Sequence, residues 1–232
     1  MRVLGIIPAR GGSKSIPKKN IKKLDGKPLL QYTVEAANES KLLSRVVLSS
    51  DDDDIISVAK TLNLEVPFKR PSHLAEDISP TLPVIQHALH FFQSQNIQFD
   101  AVCLLQVTSP FKSGGFIDEA IRKFSNTECD ALVSVQKVPT EYNPHWTFEE
   151  NRKGFLKIAT GEIDIIPRRQ ELPIAYHRDG LIYITKTSVI IEQNSLYGNT
   201  LGYIESPAGA QINIDTIEDW EKAESYLKSK KQ

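Results

Sequence analysis

The chain has little to cross-link, little to place in a membrane and almost no net charge. Its 232 residues hold two cysteines, Cys103 and Cys129, too few for the disulfide frameworks of small secreted domains. Both fall in apolar, strand-like surroundings and read as buried free thiols. No apolar stretch approaches the roughly 20 residues of a membrane-spanning helix. The run at residues 3–7 is too short for a signal peptide and is followed by Arg10, so a cytoplasmic protein is the expectation. The 28 Lys and Arg nearly balance 29 Asp and Glu, giving a formal net charge of −1. No global field therefore favours nucleic acid or a membrane, and any anion site has to be a local cluster. His73, His87, His90, His145 and His177 show no zinc-ligand spacing. No Ser-His-Asp or Cys-His set suggests nucleophilic catalysis.

What is present is an ordinary globular composition, 40% hydrophobic and 25% charged, in a length that suits one α/β domain. Strand-like runs are expected at residues 3–7, 45–49, 65–68, 101–106 and 131–135. Helices are expected at 29–37, 55–62, 81–92 and 116–124. In the third of these, Leu82, Ile85, Leu89 and Phe92 share one face. This alternation predicts a mostly parallel sheet covered on both faces. The pattern breaks after Val138, where Pro139, Asn143-Pro144, Asn151 and Gly154 cut the chain into short pieces. Short strands or a hairpin are expected at 146–148 and 155–158. Residues 139–176 read as an insertion whose apolar side chains, among them Trp146, Phe148, Phe155 and Ile163, need a covering surface. A second subunit is the expected cover; a flap on its own domain is the alternative. Alternation resumes with a strand at 181–185, and a helix at 217–227 closes the chain, leaving 228–232 as a frayed tail.

The most informative segment is Ile6-Ile7-Pro8-Ala9-Arg10-Gly11-Gly12-Ser13-Lys14, running on to Lys19-Asn20. A buried strand that empties into glycines, a hydroxyl and cations places them at the carboxyl end of a sheet, where open α/β folds bind ligands. The glycines let backbone N–H groups approach an anion, and the cations neutralise it. The spacing fits neither a Walker loop nor a dinucleotide fingerprint, and Pro17 interrupts any immediate helix. The alternative is a glycine-rich surface turn with solvated lysines.

Four further pieces carry chemistry, two of them after strands, one inside the irregular insertion and one on a final strand. Arg70, Glu76, Asp77, Ser79 and Thr81 suit sugar or base contacts, or a turn in which Ser79 or Thr81 caps the next helix. Gln106-Val107-Thr108-Ser109-Pro110 directs polar groups into the same cleft, or is turn chemistry before proline. Arg168-Arg169-Gln170 offers two guanidinium forks for carboxylate or phosphate, or is a solvated face. Asn213-Ile214-Asp215-Thr216 is expected on a final strand, with Asn213 and Asp215 on one face. Oxygen side chains so paired suit Mg²⁺, while Thr216 can cap the helix that follows. The acidic run at residues 51–54 reads instead as a helix start.

Taken in order, these pieces resemble the CMP-sialic acid synthetase (acylneuraminate cytidylyltransferase) family. Ser50-Asp51, Ser134-Val135 and Gly180-x-Ile182-Tyr183 extend the resemblance over nearly the whole chain. It implies a three-layer, Rossmann-like nucleotidyltransferase α/β fold, usually dimeric, with residues 139–176 as the dimerisation element. It implies transfer of CMP from CTP to a nine-carbon keto-sugar acid, with Mg²⁺ (or Mn²⁺) as cofactor. On that basis Arg10, Ser13 and Lys19 hold the CTP phosphates, and Ala9 and Gly11 belong to the nucleotide site. Asn20, Arg70, Ser79 and Thr81 lie near base or ribose. Gln106, Thr108, Ser109, Asp179 and Gly180 lie near the sugar, and Asp215 with Asn213 binds the metal. Arg10, Lys19, Arg168 and Arg169 act on the reacting groups, the arginine pair reaching the sugar carboxylate or the phosphates. Three positions depart from the family pattern: Val107 stands where a proline is usual, Asn213 where an aspartate is usual, and Asp179 where an asparagine is usual. Rival readings are a cytidylyltransferase for Kdo or another sugar acid, a catalytically weakened nucleotide-binding protein, and, more distantly, a dinucleotide oxidoreductase.

Overall fold

The computed structural model describes residues 1–231, so Gln232, the last residue of the expected tail, lies outside them. The chain forms two compact units, residues 1–134 with 179–232, and residues 135–178.

The larger unit is built on a six-stranded sheet. Strand β1 (Val3–Pro8) has no polar face, and Val3 to Ile7 are all buried; a strand of that kind belongs inside a sheet covered on both sides. A 3₁₀ turn (Lys19–Ile21), a small ribbon of β2 (Lys23–Leu24) and β3 (Lys27–Pro28), and helix α1 (Leu29–Glu39) follow. Next come β4 (Arg45–Ser49), α2 (Asp53–Thr61), α3 (Thr81–Gln93), β5 (Ala101–Leu104), α4 (Gly114–Ser125) and β6 (Ala131–Lys137). After the hairpin β7 (Phe148–Glu150) and β8 (Leu156–Ile158), the chain continues through β9 (Tyr176–Lys186), α5 (Thr187–Glu192), β10 (Leu201–Glu205) and α6 (Ile217–Ser229).

The order across the sheet is β10-β6-β9-β5-β1-β4. β1 is parallel to both β4 and β5, whereas β9 runs antiparallel to β5, with Cys103 opposite Ile184. The helices pair as α1 with α4 and α3 with α5. This is the mostly parallel α/β sheet that the alternation predicts. The chain leaves β1 for β4 on one side and resumes at β5 on the other. The loops after β1 and β5 therefore diverge, and the crevice between them is the usual ligand site of such a sheet.

Helix starts follow local chemistry. Asp52 caps α2 by accepting from the Ile55 N–H at 2.9 Å, so the acidic run opens a helix. Thr216 and Asp219 form a reciprocal capping box on α6, a device worth about 1 kcal/mol. Three expectations need correction. Residues 65–68 are not a strand: Glu65 alone bridges Val47, and Pro67 has no N–H to extend a ladder. Neither Ser79 nor Thr81 caps α3; Pro80 occupies that position without a side-chain bond, and the Ser79 hydroxyl donates to the His73 carbonyl at 3.0 Å. Residues 212–216 are extended but form no strand. Ile214 N–H donates to the Thr108 carbonyl at 2.7 Å, past the end of β5, and the last strand is β10.

The smaller unit carries the β7–β8 hairpin, with Phe148 opposite Ile158. Its turns are fixed by the Trp146 indole N–H donating to the Ile166 carbonyl at 2.7 Å and by the buried Asn143 amide donating to the Pro173 carbonyl at 2.9 Å. Phe155 and Ile163 stay 68% and 96% exposed.

Candidate active site

A cleft of about 500 Å³ opens at the carboxyl ends of β1 and β5. One wall is the loop after β1, contributing Arg10, Ser13, Lys14, Lys19 and Asn20. Arg70, Ser79 and Thr81 line another side, and Gln106, Thr108 and Asp215 complete the cleft. These eleven residues, all singled out in the sequence, thus converge on one cavity.

The geometry of the loop after β1 depends on its neighbouring acids as much as on its glycines. The Gly11 N–H donates to Asp51 at 3.2 Å, and a Cβ at Gly11 would collide with Asp52. Glycine is needed there because the acidic start of α2 packs against it. The Asn20 amide braces the Arg10 carbonyl at 2.9 Å. Lys19 is 9% exposed, and its ammonium donates to the Ile214 carbonyl at 2.8 Å and to Asp215 at 3.1 Å. Ser15 donates to the Asp215 carbonyl at 2.5 Å. The loop is therefore held at its far end by residues 214–215.

Arg70 is buried. Its guanidinium donates to the Ser49 hydroxyl at 3.0 Å and the Ser49 carbonyl at 2.5 Å. Burial pushes it down to about 10, with Asp51 opposing and Arg10 reinforcing the shift, so it stays charged at neutral pH.

Asp77, which composition marks only as part of a polar turn, meets two of the loop cations. Its carboxylate accepts from Arg10 at 2.6 Å and pairs with Lys14. Lys14, then Arg10, holds this carboxyl below the usual aspartate range. A phosphate bound by Arg10 and Lys14 must compete with it. Asp77→Asn should therefore tighten CTP binding about two- to fivefold, the scale of an exposed ion pair. Calorimetric titration at low salt measures this, and weaker binding would make Asp77 a direct nucleotide contact.

Asp179 and Gly180 of β9 do not line the cleft; Gly180 lies behind it, against Gln106 and Ser109. Gly180 has φ +84°, and a Cβ there would lie 2.9 Å from both Gln106 Oε1 and Ser109 Oγ. Ser109, 1% exposed, donates to Asn213 Oδ1 at 3.1 Å, and the Asn213 amide donates to Asp215 Oδ2 at 2.5 Å. The asparagine thus orients the neighbouring carboxylate. Asp179 accepts from Ser134 at 2.5 Å, from the Leu181 N–H at 3.1 Å and from Ser206, so both its oxygens already have donors. Ala9 is buried, its N–H given to the Ser49 carbonyl at 3.0 Å. Arg168 and Arg169 belong to the smaller unit, where both are exposed and Arg168 lies 3.7 Å from Glu171. Cys103 is buried and burial pushes its thiol up to about 12, which leaves it no nucleophilic role.

The family model described as cytidylyltransferase matches residues 4–225. The chain belongs to the cytidylyltransferase family. This cytidylyltransferase is 34% identical to a pseudaminic acid cytidylyltransferase of Campylobacter jejuni, over 98% of this chain and 97% of that one. It is 36% identical to a CMP-N,N'-diacetyllegionaminic acid synthase of Legionella pneumophila, with the same coverage of both chains. A solved CMP-2-keto-3-deoxy-manno-octonic acid synthetase complexed with CTP superposes with a TM-score of 0.73 at 16% identity, over 99% of this cytidylyltransferase and 100% of that chain. At that identity the likeness speaks for the fold, a nucleotidyltransferase α/β sheet. Among the described residues, no helix is long and apolar enough to cross a membrane.

Proposed function

We propose that this enzyme transfers CMP from CTP to the anomeric hydroxyl of a nine-carbon keto-sugar acid and releases pyrophosphate. The observation that carries the reading is the cleft's polarity. Arg10, Lys14 and Lys19 gather at the end of β1, while Gln106 and Thr108 stand at the end of β5. Two full-length relatives bear names for nonulosonic acids.

In this reading Arg10, Ser13 and Lys19 bind the triphosphate, and Arg70, Ser79 and Thr81 shape the base and ribose end. CTP brings about four negative charges and the acid another, so fixed cations are needed to offset repulsion and to align in-line attack on the α-phosphorus. Gln106 and Thr108 orient the sugar acid beside Gly180.

Magnesium fits the site as a partner of the nucleotide. The Asp215 side chain is 60% exposed and each of its oxygens has one donor, so lone pairs remain toward the cleft. Among the described residues no group of three or more His, Cys, Asp or Glu could hold a metal unaided. One carboxylate with substrate phosphates is a usual Mg²⁺ arrangement. Asp215 would hold the ion with Asn213 setting the carboxylate's direction, and the ion would neutralise phosphate charge and acidify the attacking hydroxyl.

The exposed Phe155 and Ile163 support a homodimer formed through the smaller unit, with Arg168 or Arg169 offered to the partner's sugar acid. Sedimentation at twice the chain mass is the expected result; a monomer at micromolar concentration would remove this part of the proposal. The activity is tested by supplying CTP, Mg²⁺ and a panel of eight- and nine-carbon keto-sugar acids and measuring pyrophosphate. Release with at least one nine-carbon acid is expected. No release with any acid from folded protein would overturn the assignment, and release with an eight-carbon acid alone would move the substrate to that class.

A further inference from the structure

Lys112 has no part in the roles assigned above, yet it is 7% exposed and its ammonium is bonded to neutral groups. It donates to the Ser109 carbonyl at 2.5 Å, the Gln106 carbonyl at 2.9 Å and the Thr33 hydroxyl at 3.4 Å. Three donors meet three acceptors, so the charged form is fully hydrogen-bonded. None of these acceptors is a carboxylate. A cation buried without an ion-pair partner is costly, and burial pushes this one down to about 7, with Cys103 and Asp179 opposing the shift. A residue kept at such a cost calls for an account.

The two carbonyls supply it. They belong to the first and last residues of the turn that leaves β5, so the ammonium sets the turn's width. The side chains of these same residues meet at Gly180. From Ser109 the bonds continue through Asn213 to Asp215 and then to Lys19, and the Thr108 carbonyl accepts from the Ile214 N–H. The turn is clamped by Lys112 on one side and by residues 213–215 on the other.

We infer that Lys112 is a positioning residue: it fixes the Gln106–Ser109 turn so that Gln106 presents to the acceptor sugar. The inference rests on the sugar acid binding at that turn. A methionine at position 112 fills the same volume but donates nothing, so the Ser109 carbonyl loses this donor, the Gln106 carbonyl keeps only the Ser109 N–H at 3.4 Å, and the turn is clamped on one side instead of two. The phosphate loop, built on β1, is left in place.

The experiment compares wild type with Lys112→Met and Lys112→Arg in CTP titration calorimetry and steady-state kinetics with the acid the wild type accepts. Lys112→Met should raise KM for the acid and lower kcat, together costing about 10- to 100-fold in kcat/KM, while Kd for CTP moves less than threefold. Lys112→Arg, which keeps the donors, should recover at least half of that loss on a logarithmic scale. If Lys112→Met does not fold, Lys112→Gln is read in the same way. Kinetics within twofold of wild type, or equal losses in CTP and acid binding, would overturn the inference. A wild type inactive with every acid would overturn the functional assignment instead, so the two failures are told apart.

Discussion

Lys19→Ala should lower kcat by about 10²- to 10³-fold, the scale of removing one preorganised group that stabilises charge developing in a transition state. Lys19 is the loop cation whose position is most fully determined. It is nearly buried, and it is held by the Ile214 carbonyl and Asp215. Its ammonium is therefore in place before a phosphate arrives. The sequence alone suggests that this substitution spares the fold. The structure revises that: two bonds to residues 214 and 215 are lost, and the Ile214 carbonyl is left without this donor. A stability loss of about 1–2 kcal/mol should accompany the kinetic defect. Steady-state kinetics with CTP and urea unfolding measure the two separately. A folded variant within tenfold of wild-type turnover would transfer the transition-state role to Arg10 or Lys14.

Gly180→Ala should be nearly as damaging through a different cause. The backbone at φ +84° disfavours any side chain. The new methyl would also press on the Gln106 amide and the Ser109 hydroxyl at 2.9 Å. The Gln106 side chain can swing away, but Ser109 is buried and tied to Asn213. The variant should lose about 1–3 kcal/mol of stability and at least about tenfold in kcat/KM for the acid, with CTP affinity changed far less. Thermal unfolding and the same titration read these out. An equal loss in CTP affinity would mean that the strain spreads across β5 to the phosphate loop.

The sheet was legible because β1, β4 and β5 are short apolar runs punctuated by polar loops, and burial on both faces leaves few other places for them. The place of the loop after β1 was legible for the same reason: its glycines and cations follow a strand directly. Pairing was harder to read. Residues 212–216 carry a period-two pattern, but a pattern gives the side-chain faces and not the partner that makes a strand. Residues 65–68 failed likewise, since one proline removes the needed donor. Lys112 was illegible because its partners are backbone carbonyls, which every sequence has. The one local hint is a cation immediately before the Ser113 cap of α4, at the end of a helix that disfavours positive charge. Asp77 was visible as an acid, but its pairing with Arg10 and Lys14 joins residues more than 60 positions apart and depends on how the chain returns after Arg70.

The bond between Lys19 and Asp215 spans 196 positions, and this has a consequence for synthesis. A ribosome makes residues 213–215 almost 200 positions after the loop that follows β1. While the chain grows, β1, β4 and β5 can assemble, but Ser15, Lys19 and the Thr108 carbonyl have no partners until the final stretch emerges. A fragment that stops short of Ile214 can hold β1, β4 and β5 together and still leave the loop after β1 without its anchor, so the order of that loop depends on a segment made long after it.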